Sequence, residues 1–154
     1  MKGPHSETVK GFYGRLPDGT AVVEMAAAAG LPLAGNNKHV ETATTYGVGQ
    51  LILHAVKSGY RKVILGLGGS ATNDGGAGAA SALGIRFQDT DGKTFIPVGC
   101  NLSEIASIDF SSRIPELAGT EFVIMCDIDN PLCGSQVHRT FYWAYRNSRE
   151  AETE

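Results

Sequence analysis

Residues 61–84 read RKVILGLGGSATNDGGAGAASALG, and this stretch decides the fold. Val63-Ile64-Leu65-Gly66-Leu67 is an apolar run without polar alternation, the mark of a strand buried on both faces in a sheet covered by helices. It passes directly into residues 68–78, where five glycines are interleaved with Ser70, Thr72, Asn73 and Asp74. The following Ala77–Leu83 segment is rich in helix formers and stops at Gly84. The order is therefore strand, glycine loop, helix. Such a loop gathers backbone N–H groups whose partial positive charge suits a phosphate or carboxylate. Ser70 and Thr72 can add hydroxyl donors, and Asp74 can accept a proton or hold a magnesium ion by oxygen ligation. The other reading is packing: glycine-rich turns also permit close helix–sheet contact, and the segment matches neither GxxxxGK[ST] nor GxGxxG.

Working outward, Val48, Leu51, Ile52, Ala55 and Val56 recur at spacings of three and four, with Thr44 or Thr45 as a cap and Gly59 as a left-handed stop. This predicts an amphipathic helix upstream of the buried strand. Residues 9–26 hold two β-favouring runs around Pro17-Asp18-Gly19, a hairpin signal, and Ala26–Glu41 reads as a short helical turn and an exposed loop. Downstream, Ile85–Gln88 reads as a strand, Asp91-Gly92 as a second hairpin turn, and Leu102–Ile108 as a helix capped by Asn101 or Ser103. Glu121–Cys126 (EFVIMC) is a second buried-strand candidate, and it ends on Asp127, Asp129 and Asn130. The fold class expected is α/β: a mixed sheet with flanking helices and edge hairpins. If the two buried strands are parallel neighbours, Asp74 and Asp127 share the crevice at their carboxyl ends, where open α/β sheets gather ligands. Asp127–Pro131 reads equally as an ordinary polar turn. Glu24 and Glu41 are further acids near element ends, each read first as surface.

Composition narrows the classes. The 154 residues carry 13 Lys+Arg against 16 Asp+Glu, a net charge of −3, and 20 glycines, about 13% where ~7% is usual. With a sequence pI of about 5.8 and no basic cluster, no nucleic-acid partner is expected. No apolar stretch approaches the roughly 20 residues of a spanning helix, so no membrane partner is expected either. Cys100, Cys126 and Cys133 form an odd set without a secretion signal, which points to a reducing cytoplasm. Their spacing, and that of His5, His39, His54 and His138, matches no metal-site pattern.

The runs Gly66–Gly78 (GLGGSATNDGGAG) and Cys126–Gly134 (CDIDNPLCG) resemble the two central signatures of the bacterial-type, type 1 glycerate kinase family. GFYG (11–14), VVEMAAAAGL (22–31) and TATTYGVGQLI (42–52) resemble its intervening segments, so the likeness extends from about Gly3 to Gln136. The resemblance implies a kinase that uses ATP and Mg²⁺ to phosphorylate D-glycerate. It also implies that this chain corresponds to the inserted domain and central part of a two-domain, Rossmann-like protein. It would place Gly68, Gly69, Ser70, Thr72, Asn73 and Asn130 against substrate or phosphate. Asp74 would be the catalytic carboxylate, with Asp127 as the alternative or as a Mg²⁺ contact. The family's APDSFK-type, ADGGEGT-type, FGPQKGA-like and GEG-containing segments are not found here. Residues 1–136 therefore read as a truncated kinase-like core, and 137–154 as a separate tail with four aromatics (Phe141, Tyr142, Trp143, Tyr145), three arginines and no glycine. The second reading is a non-catalytic α/β module that binds an anion or a partner without turnover.

Overall fold

The computed structural model describes residues 1–36 and 39–126. Its centre is a four-stranded sheet in the order β1 (Gly14–Arg15), β2 (Thr20–Glu24), β3 (Lys62–Gly66), β7 (Glu121–Met125). β1 pairs antiparallel to β2 through the expected turn, closed by Gly19 N–H donating to the Leu16 carbonyl at 3.1 Å. β2, β3 and β7 run parallel, with Ala21 beside Val63 and Phe122, and Glu24 beside Gly66 and Met125. Parallel neighbours need a crossover, and between β2 and β3 it consists of α1 (Ala26–Ala29), α2 (Leu31–Ala34) and α3 (Tyr46–Lys57). The mixed sheet with flanking helices and edge hairpins is thus the observed architecture.

The helical periodicity of α3 does what its spacing demands. Val48, Leu51, Ile52, Ala55 and Val56 are all buried, packed with Ala21, Val23 and Val63 of the sheet and Ala28 and Ala29 of α1. Each buried Val, Leu or Ile side chain here stabilises by about 1.5–3 kcal/mol, which fixes α3 on the β2–β3 face. Gly59, at φ 95°, ends the helix in the left-handed region. α4 (Ala77–Ala82) crosses α3 closely: a Cβ on Gly49 would strike the Ala79 carbonyl oxygen and lie 2.7 Å from the Ala82 Cβ.

A second sheet, β5 (Thr94–Phe95), β4 (Arg86–Gln88), β6 (Ser107–Asp109), is antiparallel throughout. Its β4–β5 hairpin turns at Asp89–Gly92 as expected. The helix expected over Leu102–Ile108 is displaced. A 3₁₀ segment covers Gly99–Glu104, capped by Val98 N–H on the Asn101 side-chain oxygen at 2.7 Å, and Ser107–Asp109 is strand β6. The ladder to β4, including Ala106 N–H to the Gln88 carbonyl at 2.8 Å, overrides the local helix preference. The second correction concerns β7. It is a strand, but Phe122, Ile124 and Met125 are 38%, 53% and 60% exposed, because α1 and α3 cover β2 and β3 and reach no further across the sheet.

Candidate active site

Three segments meet at the carboxyl edge of the parallel strands. The chain leaves β2 at Glu24, β3 at Gly66 and β7 at Met125, and these three residues lie side by side in the sheet. Backbone hydrogen bonds stitch together the segments beyond the strand ends. Met25 N–H donates to the Gly66 carbonyl at 2.9 Å, and Leu67 N–H to that of Met125 at 3.1 Å. Leu31 N–H donates to the Gly69 carbonyl at 3.1 Å, and Ala71 N–H to that of Ala29 at 2.8 Å. The glycine loop is therefore held along one side by the α1–α2 junction while its other side stays open. Gly68, Gly69 and Gly75 are exposed, and a Cβ on Gly68 or Gly75 would meet nothing within 4 Å. Among the described residues, the backbone N–H groups of Gly68, Gly69, Asn73 and Gly75 donate to no partner. They are the free donors that an anion would need.

The polar side chains of the loop divide. Ser70 Oγ and Thr72 Oγ1 lie 2.8 Å apart, and Thr72 N–H donates to Ser70 Oγ at 3.1 Å, so the two hydroxyls form one small turn on the loop. Asn73 packs against Gly99, where a Cβ would overlap its amide, and its buried side-chain oxygen has no hydrogen-bond partner among the described residues. Asp74 is placed differently from its neighbours. It is 1% exposed, and four donors surround its carboxylate. Thr45 N–H at 2.7 Å, Thr45 Oγ1–H at 2.8 Å and Gly78 N–H at 3.2 Å reach Oδ2, and Gly76 N–H at 3.0 Å reaches Oδ1. Thr45 Oγ1 in turn accepts Ala79 N–H at 2.9 Å. One carboxylate thus joins the start of α3 to the first turn of α4, with Gly78 leaving room that any Cβ would take from Thr44 Oγ1 and Asp74 Oδ2.

This joint is only half legible in the sequence. The sequence offers Thr44 or Thr45 as the cap of α3; Thr45 holds the N-cap position, yet its hydroxyl reaches across to Asp74, and it is Thr44 Oγ1 that accepts Tyr46 N–H at 3.1 Å. Asp74 reads as facing the crevice, whereas it is turned into the helix layer. Asp127 and Asn130 lie outside the described residues; the strand before them, β7, is the parallel neighbour of β3. Cys100 is an exposed thiol, and no group of three His, Cys, Asp or Glu side chains among the described residues could hold a metal ion. A cleft of about 310 Å³ lined by Tyr46, Ser81, Arg86, Phe95, Ile96 and Ser112 lies against the small sheet and includes none of the loop's polar residues.

The fold and the loop define an open α/β protein whose exposed, glycine-rich backbone gathers at the carboxyl edge of a parallel sheet, the place where such folds hold ligands. The glycerate kinase family model matches residues 1–144, running past Gln136, where the resemblance read from the motifs ends. The chain is 49% identical over 136 residues to a glycerate kinase of Bacillus cereus, covering 87% of this chain and 36% of that protein. It is 40% identical over 153 residues to glycerate 2-kinase of Escherichia coli K12, covering 98% and 40%. The crystal structure of a protein described as glycerate kinase 2 from Salmonella typhimurium LT2 superposes with a TM-score of 0.88 at 38% identity, over 95% of this chain and 40% of that one. The chain belongs to the glycerate kinase family. It spans 36–40% of the length of these relatives.

Proposed function

We propose that the chain carries the phosphate-facing part of an ATP-dependent D-glycerate kinase. The observation that supports this reading is the glycine loop, with free N–H donors on its open side, at the carboxyl edge of the parallel strands of a glycerate kinase family member. In phosphoryl transfer the protein's work is positioning and charge stabilisation. The Gly68, Gly69 and Gly75 N–H groups meet phosphate oxygens, and the Ser70–Thr72 pair orients them. The acceptor hydroxyl oxygen forms a bond to the γ-phosphorus, the bond from that phosphorus to its bridging oxygen breaks, ADP leaves, and the hydroxyl proton passes to a carboxylate.

Asp74, buried among four donors, is assigned as the positioning residue that holds the loop and α4 against α3. The proton-accepting role then falls to Asp127, two residues beyond β7. Mg²⁺ fits as a companion of the nucleotide, since it keeps much of its water and binds through phosphates plus one or two carboxylates. When bound it neutralises phosphate charge. A coupled assay for ADP release with ATP, Mg²⁺ and D-glycerate tests the reading. Glycerate-dependent release supports it; absence of both release and any nucleotide-induced shift of the loop amides by NMR refutes it.

For these 154 residues taken by themselves, which span 36–40% of the relatives' length, the second reading is a binding module without turnover. Catalytic groups must converge within about 1 Å of their working positions, and a misplacement of that size costs roughly 10²-fold. No more than trace activity is expected of this chain alone, and turnover in the ordinary range of roughly 1–10³ s⁻¹ would overturn the module reading.

A further inference from the structure

We infer that Glu24 is a carboxylate contact for the divalent cation that accompanies the nucleotide; the inference rests on the phosphotransfer reading above. Glu24 is the last residue of β2, in register with Gly66 at the point where β3 turns into the glycine loop. Paired residues in neighbouring strands face the same side, so its side chain stands over Gly66, where a Cβ would lie 4.0 Å from the Glu24 Cγ. That is ordinary contact distance, so the glutamate stem lies directly over position 66. The next residue, Met25, donates its N–H to the Gly66 carbonyl at 2.9 Å, and Gly69 passes so close to Ala26 that a Cβ would lie 3.4 Å from the Ala26 Cβ. Two residues past Gly66, the chain is already in the loop whose N–H groups are free. The carboxylate is thus anchored by its backbone to the phosphate-facing loop.

Its state supports the assignment. Glu24 is exposed, and among the described residues its carboxylate has no hydrogen-bond or ion-pair partner. Asp74, the acid within the loop, is buried and engaged four times, so it is closed to a cation approaching from solvent. The donor chemistry fits magnesium in particular. A cation that prefers oxygen and retains water needs a single exposed carboxylate beside the phosphates, not an all-protein cage. No step of the transfer depends on Glu24 taking a proton; its contribution is a negative charge facing the metal–phosphate unit.

The test uses the full 154-residue chain, isotope-labelled for amide NMR, with ADP as probe and Mn²⁺ as the paramagnetic substitute for Mg²⁺. ADP without metal is titrated first, then ADP with Mn²⁺, in wild type and in Glu24→Gln. Mn²⁺–ADP is expected to broaden the amide signals of Glu24, Met25, Gly68 and Gly69 most strongly. The gain in ADP affinity brought by Mn²⁺ is expected to fall at least tenfold in Glu24→Gln, with metal-free ADP shifts unchanged. Glu24→Asp, which keeps the charge on a shorter stem, is expected to retain part of the gain. An unchanged metal-dependent gain in Glu24→Gln, or broadening centred on the Asp89–Asp91 turn, overturns the inference and leaves nucleotide binding standing. If ADP moves no loop amide with or without metal, the phosphotransfer reading fails and the inference fails with it.

Discussion

Replacing Asp74 by Asn keeps size and shape and removes the charge, so it isolates what the buried carboxylate does. Oδ2 accepts three donors and Oδ1 accepts one. An amide can keep its oxygen toward the three, but its NH₂ then faces Gly76 N–H, now 3.0 Å from a carboxylate oxygen, donor against donor. The opposite orientation sets the NH₂ against three donors and is worse. In the better orientation three hydrogen bonds drop from the charged class, about 1.5–3 kcal/mol each, to the neutral class, about 0.5–1.5. Relief from burying a charge offsets part of this loss, and an unsatisfied N–H adds about 1–3 kcal/mol to the cost. The net destabilisation is about 2–4 kcal/mol, against a total stability of about 5–15 kcal/mol for a domain. With a urea m-value of about 1–3 kcal/mol/M, the unfolding midpoint falls by roughly 1–2 M, readable by far-UV circular dichroism. Native-like circular dichroism with a midpoint within about 0.3 M of wild type would refute the joint and return Asp74 to the list of reacting groups.

Thr45→Val removes a hydroxyl that donates to Asp74 and accepts Ala79 N–H, so it is expected to destabilise by about 2–3 kcal/mol, while Thr45→Ser stays within about 1 in the same urea titration. Gly78→Ala places a methyl on Thr44 Oγ1 and Asp74 Oδ2, and a loss exceeding about 2 kcal/mol is expected; a loss under about 0.5 by the same measure, at the level of an ordinary surface change, would mean the joint yields freely. Asp18 accepts hydrogen bonds from Thr20, chiefly its hydroxyl and then its backbone N–H, which hold its carboxyl below the ordinary 3.8. A lowered folded-state value means the contribution is present above the unfolded pKa and is lost as pH falls through the folded one. Asp18→Ala should therefore lower the melting temperature slightly at neutral pH, with the difference from wild type vanishing in acid below the ordinary carboxylate range; a difference that persists there contradicts the argument.

The fold is largely legible in the sequence because its signals are local and strong. The apolar run read at Val63–Leu67 is strand Lys62–Gly66, residues 121–125 are a strand, Val48 to Val56 line one helix face, and both hairpin turns fall on their Asp-Gly pairs. Three expectations fail: β3, read as buried on both faces, has only Val63 fully buried, with Ile64, Leu65 and Gly66 partly exposed, and the other two fail for different reasons. Leu102–Ile108 lacks a strong period of its own, so pairing with β4 decides its conformation. In β7 the apolar run marks a strand that could be buried on both faces, but burial depends on what lies over it. Among the described residues helix cover ends at β3, and Phe122, Ile124 and Met125 stand exposed.

The candidate site is legible in place and only partly in role, and the division reflects what a sequence encodes. Five glycines in residues 68–78, after an apolar strand, specify an open backbone at a strand's carboxyl end, since glycine adopts consecutive positive φ such as the 62° and 83° of Gly75 and Gly76 at least cost. Whether a carboxylate beside those glycines faces solvent or the helix layer is set by partners far along the chain. Asp74 is taken by Thr45, 29 residues earlier, and no spacing rule announces such a contact. Glu24 is the converse case. Its one-residue signal is that of any surface acid, and only the register that sets it beside Gly66 brings it to the loop. The two acids differ for a single physical reason: a carboxylate that acts on a ligand must keep lone pairs free for it, and the fold leaves those of Glu24 without a partner among the described residues while Thr45, Gly76 and Gly78 engage Asp74.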